Sequence, residues 1–150
     1  MTRRFLIGLA ATTLFGFAAG CSDSPTTPST YAPYSQVDLR LGNGTEAASG
    51  TVVTVNYTGF LYDPTQPDGK GLVFDTSLNS TPLVFTLGIG SVIQGFDRGV
   101  TGMKVGGARC VVIPPSLGYG GSRNNSIPPY ATLVFDIDLV DVTTPTSSGG

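Results

Sequence analysis

The sequence predicts an α+β fold, a twisted antiparallel sheet wrapped around one short amphipathic helix. Three observations carry that expectation. The 150 residues include 21 glycines and 11 prolines, which implies many turns and short elements rather than a helical bundle. Several short segments alternate apolar and polar side chains, the period of a half-buried strand. Only one segment carries apolar residues at helical spacing.

In chain order, Val37, Leu39 and Leu41 alternate with Asp38 and Arg40, which reads as a strand with one wet face ending at Gly42-Asn43-Gly44. Thr51 to Leu61 alternates again, with Val53, Val55 and Tyr57 on one face. Asp63 to Gly71 is turn chemistry throughout and reads as an exposed loop. Leu72 to Thr76 and Leu83 to Leu87 read as short strands. Ser91 to Val100 places Val92, Ile93, Phe96 and Val100 at helical spacing, with Ser91 as the expected cap and Gly99 and Gly102 limiting the length. Ala108 to Ile113 and Leu133 to Val142 read as strong strands. The loop between them, Pro114 to Tyr130, is long enough that a functional role is expected.

The front of the chain reads as an address. Arg3-Arg4 precedes the apolar run Phe5 to Ala19, the pattern of an export signal, and the run falls short of the roughly 20 residues of a spanning helix. Ala18-Ala19-Gly20-Cys21 resembles the end of a bacterial lipoprotein signal, which implies lipidation of Cys21. The alternative is an ordinary secretory signal with Cys21 incidental. Residues 1–20 are thus expected to be the signal and 21–34 a flexible Ser/Thr/Pro linker. The folded domain is expected over 35–143 and a disordered tail over 144–150. Ser22 after the cysteine favours the outer membrane by the same resemblance. The expected location is the bacterial cell envelope, lipid-anchored and facing the periplasm.

Composition excludes several chemistries. There is no histidine, which removes the commonest general base and metal ligand together and with them the usual Ser-His or Cys-His nucleophile. Charged residues make up only 12%, and no basic cluster exists to hold a phosphate backbone, so no nucleic-acid partner is expected. With Cys21 acylated, Cys110 stands alone and reads as a small buried thiol. Gly88 to Gly95 is glycine-rich but lacks the lysine of a phosphate loop. No cofactor and no metal are expected.

Five segments carry the functional signal. They are Thr54-Val55-Asn56-Tyr57-Thr58-Gly59, Val73-Phe74-Asp75-Thr76-Ser77, Val92-Ile93-Gln94-Gly95-Phe96-Asp97, Gly118-Tyr119-Gly120 and Ile127-Pro128-Pro129-Tyr130-Ala131-Thr132-Leu133-Val134-Phe135. In order and spacing they resemble the FKBP-type peptidyl-prolyl isomerases over about residues 37 to 142. The resemblance implies an FKBP-like sheet around one helix, with a cup between them for a prolyl ring. It implies Tyr57 and Phe74 as walls, Val92 and Ile93 at the helix entrance, Phe96 as floor, and Tyr119 and Phe135 as sides. Leu83 and Ile127 join the substrate-binding set, and Asp75 is the lone carboxylate at the rim. The Ile93 N–H and the Tyr119 hydroxyl would donate to substrate carbonyls, with Tyr57 oriented against Asp75. On composition alone, Phe74, Phe96 and Phe135 would read as core.

The chain departs from the family pattern in places. The floor is Phe96 where tryptophan is common, and Leu83 stands where phenylalanine is frequent. The Asp63–Gly71 insertion could add a rim contact, and the Gly120–Ser126 loop is short. These departures predict macrolide binding weaker than in minimal family members. The expected activity is cis–trans isomerisation of X-Pro bonds in exported proteins during their folding. The alternative is a non-catalytic chaperone or adaptor module for proline-containing segments. The expected partners are proline-containing polypeptides and the membrane through lipidated Cys21, with the domain itself a monomer.

Overall fold

The structure, a computed structural model, describes residues 31–145. The expected export signal, Cys21, most of the linker and residues 146–150 of the expected tail lie outside the described residues. The elements run β1 (Ser35–Arg40), β2 (Val52–Tyr62), β3 (Lys70–Thr76), β4 (Leu83–Thr86), α1 (Gln94–Val100), β5 (Ala108–Ile113), a 3-10 turn (Pro115–Leu117) and β6 (Leu133–Thr143). The sheet is antiparallel in the order β1-β5-β6-β2-β3, with β4 also on β2. The expected class is therefore found.

Strand β2 organises the sheet. One side pairs with β6 from Val52 to Leu61. The other takes β4 over Val52–Val55 and β3 over Thr58–Tyr62. Between these two pairings the ladder has a gap at Asn56 and Tyr57. Ser77 fills it: its hydroxyl accepts from the Tyr57 N–H at 2.9 Å, its own N–H donates to the Tyr57 carbonyl at 3.0 Å, and its O–H reaches Asn56 Oδ1 at 3.2 Å. Ser77 is buried, as a side chain must be to substitute for strand bonds away from water.

The inward face is the one the alternation predicts. Val53 and Val55 of β2 and Phe135, Ile137 and Leu139 of β6 meet Val111 and Ile113 of β5, Phe96 and Val100 of α1, and Leu87. Among the described residues, the core and the side chains packed against it come from between Tyr34 and Val142. Helix α1 lies very close to β5. A Cβ on Gly95 would sit 2.4 Å from an Ile113 methyl, and one on Gly99 2.8 Å from a Val111 methyl. Gly99 was expected to limit the helix; its physical role is to let the helix approach the sheet. Arg109, buried, donates from Nη1 to the carbonyls of Gly99 (2.9 Å) and Thr101 (3.2 Å) and from Nε to Asp38 (2.6 Å), which closes the helix C-terminus.

Four local expectations need correction. The helix begins at Gln94 rather than at Ser91, and no side chain caps it. Val37, Leu39 and Leu41 of the first strand are 62%, 56% and 80% exposed; the charged residues tie β1 down instead, Asp38 to Arg109 and Arg40 to Asp138 at 2.8 Å. Strand β3 starts at Lys70, two residues inside the expected loop, because Lys70 Nζ reaches Asp136 Oδ2 at 2.7 Å and lies over the Phe60 ring. Tyr34, placed in the linker, packs on the domain with Arg98 over its ring at 4.3 Å. Cys110 is half-buried, and burial together with Asp136 pushes its thiol up to about 11, the protonated and unreactive form.

Candidate active site

Between α1, β2, β3 and the loop after β5 lies a hollow of about 200 Å³ lined by Tyr57, Phe74, Asp75, Leu83, Ser91, Val92, Ile93, Phe96, Tyr119 and Phe135. Every residue expected there from the sequence is present except Ile127. That side chain is buried in the core, and its N–H donates to the Asn124 carbonyl at 2.7 Å, so it anchors the loop that carries Tyr119 rather than facing the hollow. Ser91, expected as a helix cap, lines the hollow instead. No residue of the 63–71 segment does.

The rings hold one another in place. Phe135 packs edge-to-face on Phe96 at 5.1 Å and on Phe74 at 5.5 Å, and Tyr57 packs on Phe96 at 5.8 Å. Edge-to-face pairs at such separations are favoured by the ring quadrupoles. Phe85 supports Phe96 from behind at 5.9 Å. The arrangement depends on Gly59, whose added Cβ would sit 2.6 Å from Phe74 Cζ and 2.9 Å from Phe135 Cε1. Sequence reasoning missed Gly59, Ser77 and Phe85 as parts of the site. A glycine inside a strand is the one local signal that pointed there, since it marks close approach or a bulge.

The polar groups divide into spent and unspent. Tyr57 O–H donates to Asp75 Oδ2 at 2.5 Å, and the Thr76 N–H donates to Asp75 Oδ1 at 2.9 Å. Burial raises the Tyr57 pKa, its bond to Asp75 and the neighbouring negative charge add to this, and the phenol is pushed up to about 12. Tyr57 is thus a permanent donor, fixed on Asp75. Ile93 is extended (φ −58°, ψ 145°) and precedes the helix, so its carbonyl accepts the first helical bonds while its N–H has no acceptor among the described residues. The Tyr119 hydroxyl likewise makes no hydrogen bond among the described residues. Tyr119 is carried by the turn in which the Gly118 and Gly120 N–H groups both donate to the Pro115 carbonyl. No three His, Cys, Asp or Glu side chains gather as a metal site among the described residues.

An apolar hollow with two idle donors and a carboxylate engaged at both oxygens suits a site that binds and reshapes a peptide without proton transfer. Comparison with known proteins gives the same class. Residues 43–140 match the family model described as FKBP-type peptidyl-prolyl cis-trans isomerase. An "FK506-binding protein" of Neisseria meningitidis serogroup B is 46% identical over 107 residues, covering 70% of this chain and 92% of the relative. "Peptidyl-prolyl cis-trans isomerase FKBP53" of Arabidopsis thaliana is 46% identical over 108 residues, 70% of this chain and 21% of that one. Among solved structures, AtFKBP13 superposes with a TM-score of 0.62 at 36% identity over 72% of this chain and 91% of its own. FkpA from Escherichia coli gives 0.62 at 38% over 74% and 48%. The chain belongs to the FKBP-type peptidyl-prolyl cis-trans isomerase family, and it is an isomerase of that type.

Proposed function

We propose that the hollow takes the prolyl ring of an extended polypeptide and eases rotation of the preceding amide by withdrawing it from water. The twisted amide lies about 18–20 kcal/mol above the planar form. At the twist, resonance is lost, the carbonyl oxygen gives up partial negative charge and the nitrogen gains basicity. Water opposes this by solvating the more polar planar state, and an apolar wall of Phe74, Phe96 and Phe135 does not. A barrier lowered by about 5 kcal/mol accelerates rotation on the order of a thousand-fold or more.

The idle donors would orient the peptide. The Ile93 N–H and the Tyr119 hydroxyl stand ready for two substrate carbonyls, which fixes one side of the bond while the residue before proline turns. Asp75 faces the turning amide with both oxygens already engaged, so its role is to hold Tyr57 and shape the rim. The observation that carries this reading is the hollow of about 200 Å³ with a single carboxylate and a fixed set of rings. A protease-coupled proline-peptide assay on residues 31–150 tests it. Wild type should accelerate isomerisation and Phe135→Ala should not; equal rates near background for both would leave a proline-segment-binding module without turnover.

The clients we propose are exported proteins, for which unaided isomerisation takes tens of seconds. The sequence of residues 1–34 supports an envelope location through lipidated Cys21, with the outer membrane favoured by Ser22. Loss of membrane association in Cys21→Ser, followed by fractionation, tests that assignment. With Phe96 as the floor, macrolides should bind, but more weakly than to members with tryptophan there.

A further inference from the structure

Two non-glycine residues among those described have positive φ, Asn125 at 45° and Tyr130 at 58°. Asparagine visits that region readily. For a bulky ring it is an outlier, kept only where the surroundings over-determine it. Burial does not explain Tyr130: the residue is 59% exposed, and its hydroxyl has no hydrogen-bond partner among the described residues. What surrounds it is the turn that carries Tyr119. The Tyr130 N–H donates to the Gly120 carbonyl at 2.7 Å. Its ring lies against Gly121, where an added Cβ would sit 2.8 Å from Oη and 2.9 Å from Cζ. Only a residue without a Cβ leaves room for the ring there.

We propose, on the reading of Tyr119 as a substrate donor, that Tyr130 is a positioning residue for it. The turn is braced from within by the Gly118 and Gly120 N–H groups on the Pro115 carbonyl, at 3.1 and 2.9 Å, and by the Ser122 N–H on the Tyr119 carbonyl at 3.2 Å. Tyr130 adds the link to the root of β6. It grips the two residues that follow Tyr119, Gly120 by its carbonyl and Gly121 by its open face. Slack at that point rotates the Tyr119 ring about its own backbone. A hydroxyl hydrogen bond is made over about 2.5–3.0 Å and is gone by about 3.6 Å, so a slip of about 1 Å removes it. The bond to a substrate carbonyl exists in the planar state and persists at the twist, so its loss raises KM and leaves kcat unchanged.

Steady-state proline-peptide kinetics on the full chain, with a urea midpoint for each variant, test the assignment. Tyr119→Phe should raise KM about fivefold, the loss of one net hydrogen bond, with kcat within about twofold. Tyr130→Ala should do the same, and in the Tyr119→Phe background it should add nothing, because both remove one interaction. Tyr130→Phe keeps the ring, drops a hydroxyl that has no partner, and should match wild type. Gly121→Ala pushes the ring away from the other side of the contact. It should raise KM by a similar factor, with no further rise when combined with Tyr130→Ala. If Tyr130→Ala does not fold, Gly121→Ala with and without Tyr119→Phe completes the same cycle. Wild-type KM in Tyr130→Ala while Tyr119→Phe is impaired overturns the proposal, whatever the urea midpoint does. Additive effects of Tyr130→Ala and Tyr119→Phe overturn it as well. Wild-type KM in Tyr119→Phe itself removes the donor reading, and the positioning role falls with it.

Discussion

Gly59→Ala adds one methyl group to the wall of the hollow, and the geometry decides its sign. The new carbon would lie 2.6 Å from Phe74 Cζ and 2.9 Å from both Phe74 Cε2 and Phe135 Cε1, against about 3.5–4.0 Å for relaxed carbon contacts. One ring must therefore move by about 1 Å. Phe135 is pinned by three ring neighbours and is buried. Phe74, half-buried and held by Phe135 alone among the rings, gives way and either fills the hollow or opens its wall. Overpacking of this kind costs about 1–3 kcal/mol, and a misplacement of about 1 Å at a reacting group can lower rates by about a hundredfold. Backbone entropy argues the opposite: an alanine tolerated without strain would stabilise by about 0.4–1 kcal/mol. Urea unfolding and the proline-peptide assay on the same sample separate the two. The expected result is a folded protein, less stable than wild type, with kcat/KM down about ten- to a hundredfold. A variant of equal or greater stability with wild-type kcat/KM would refute the claim that Gly59 holds the wall in place.

Asp75→Asn should keep kcat/KM within about tenfold, because desolvation asks no charge of that position; a fall of a thousandfold in the same assay would mean that the carboxylate takes part electrostatically. Phe96→Trp should tighten macrolide binding by calorimetry, whereas low-nanomolar affinity of the wild type would contradict the expected weakening. Alkaline stability should fall in two steps. Cys110, ordinarily near 9.0, and Tyr57, ordinarily near 10.0, keep their protons up to about 11 and about 12 in the folded chain. Their stabilisation is whole below the unfolded values and lost as pH climbs through the folded ones. Denaturant midpoints from pH 8 to 12 should decline from about pH 9, with Cys110→Ser flattening the first step and Tyr57→Phe the second; unchanged pH dependence in both variants would count against these assignments.

The fold was legible wherever the apolar period had a buried face to report. Leu133, Phe135, Ile137 and Leu139 point inward as their spacing says, and Val53 and Val55 do the same. The period failed at β1, where the bulge between Asp38 and Arg40 breaks the alternation and the outer strand has nothing above it to cover Val37 and Leu39. It failed again at Ser91, Val92 and Ile93, whose spacing fits a helix although Ser91 and Val92 form a bend and Ile93 is extended before it. A three-residue stretch cannot distinguish the two periods. Within the site, the ring residues were legible because each is a large apolar group in a recurring segment. Ser77 was not: its link to Tyr57 spans 20 residues, and nothing local marks a serine as the filler of a gap between two strands. Ile127 was misplaced for a related reason, since an apolar residue beside the site can serve by anchoring a loop.

The extended Ile93 explains why this chain needs so few polar groups. Had the helix started at Ser91, the Ile93 N–H would point along the helix axis within its first turn, and the side chains of Val92 and Ile93 would follow the helical face into the core. Starting three residues later leaves one donor at the lip of the hollow and turns Ser91, Val92 and Ile93 into its lining. The close seat of Gly95 on Ile113 then fixes the height of Phe96, and with it the depth of the hollow. Donor position and floor depth are thus set by the same short stretch, Ile93 to Phe96. Changes at Gly95 should therefore alter peptide orientation and ring capacity together, while changes at Leu83 or Val92 should alter capacity alone.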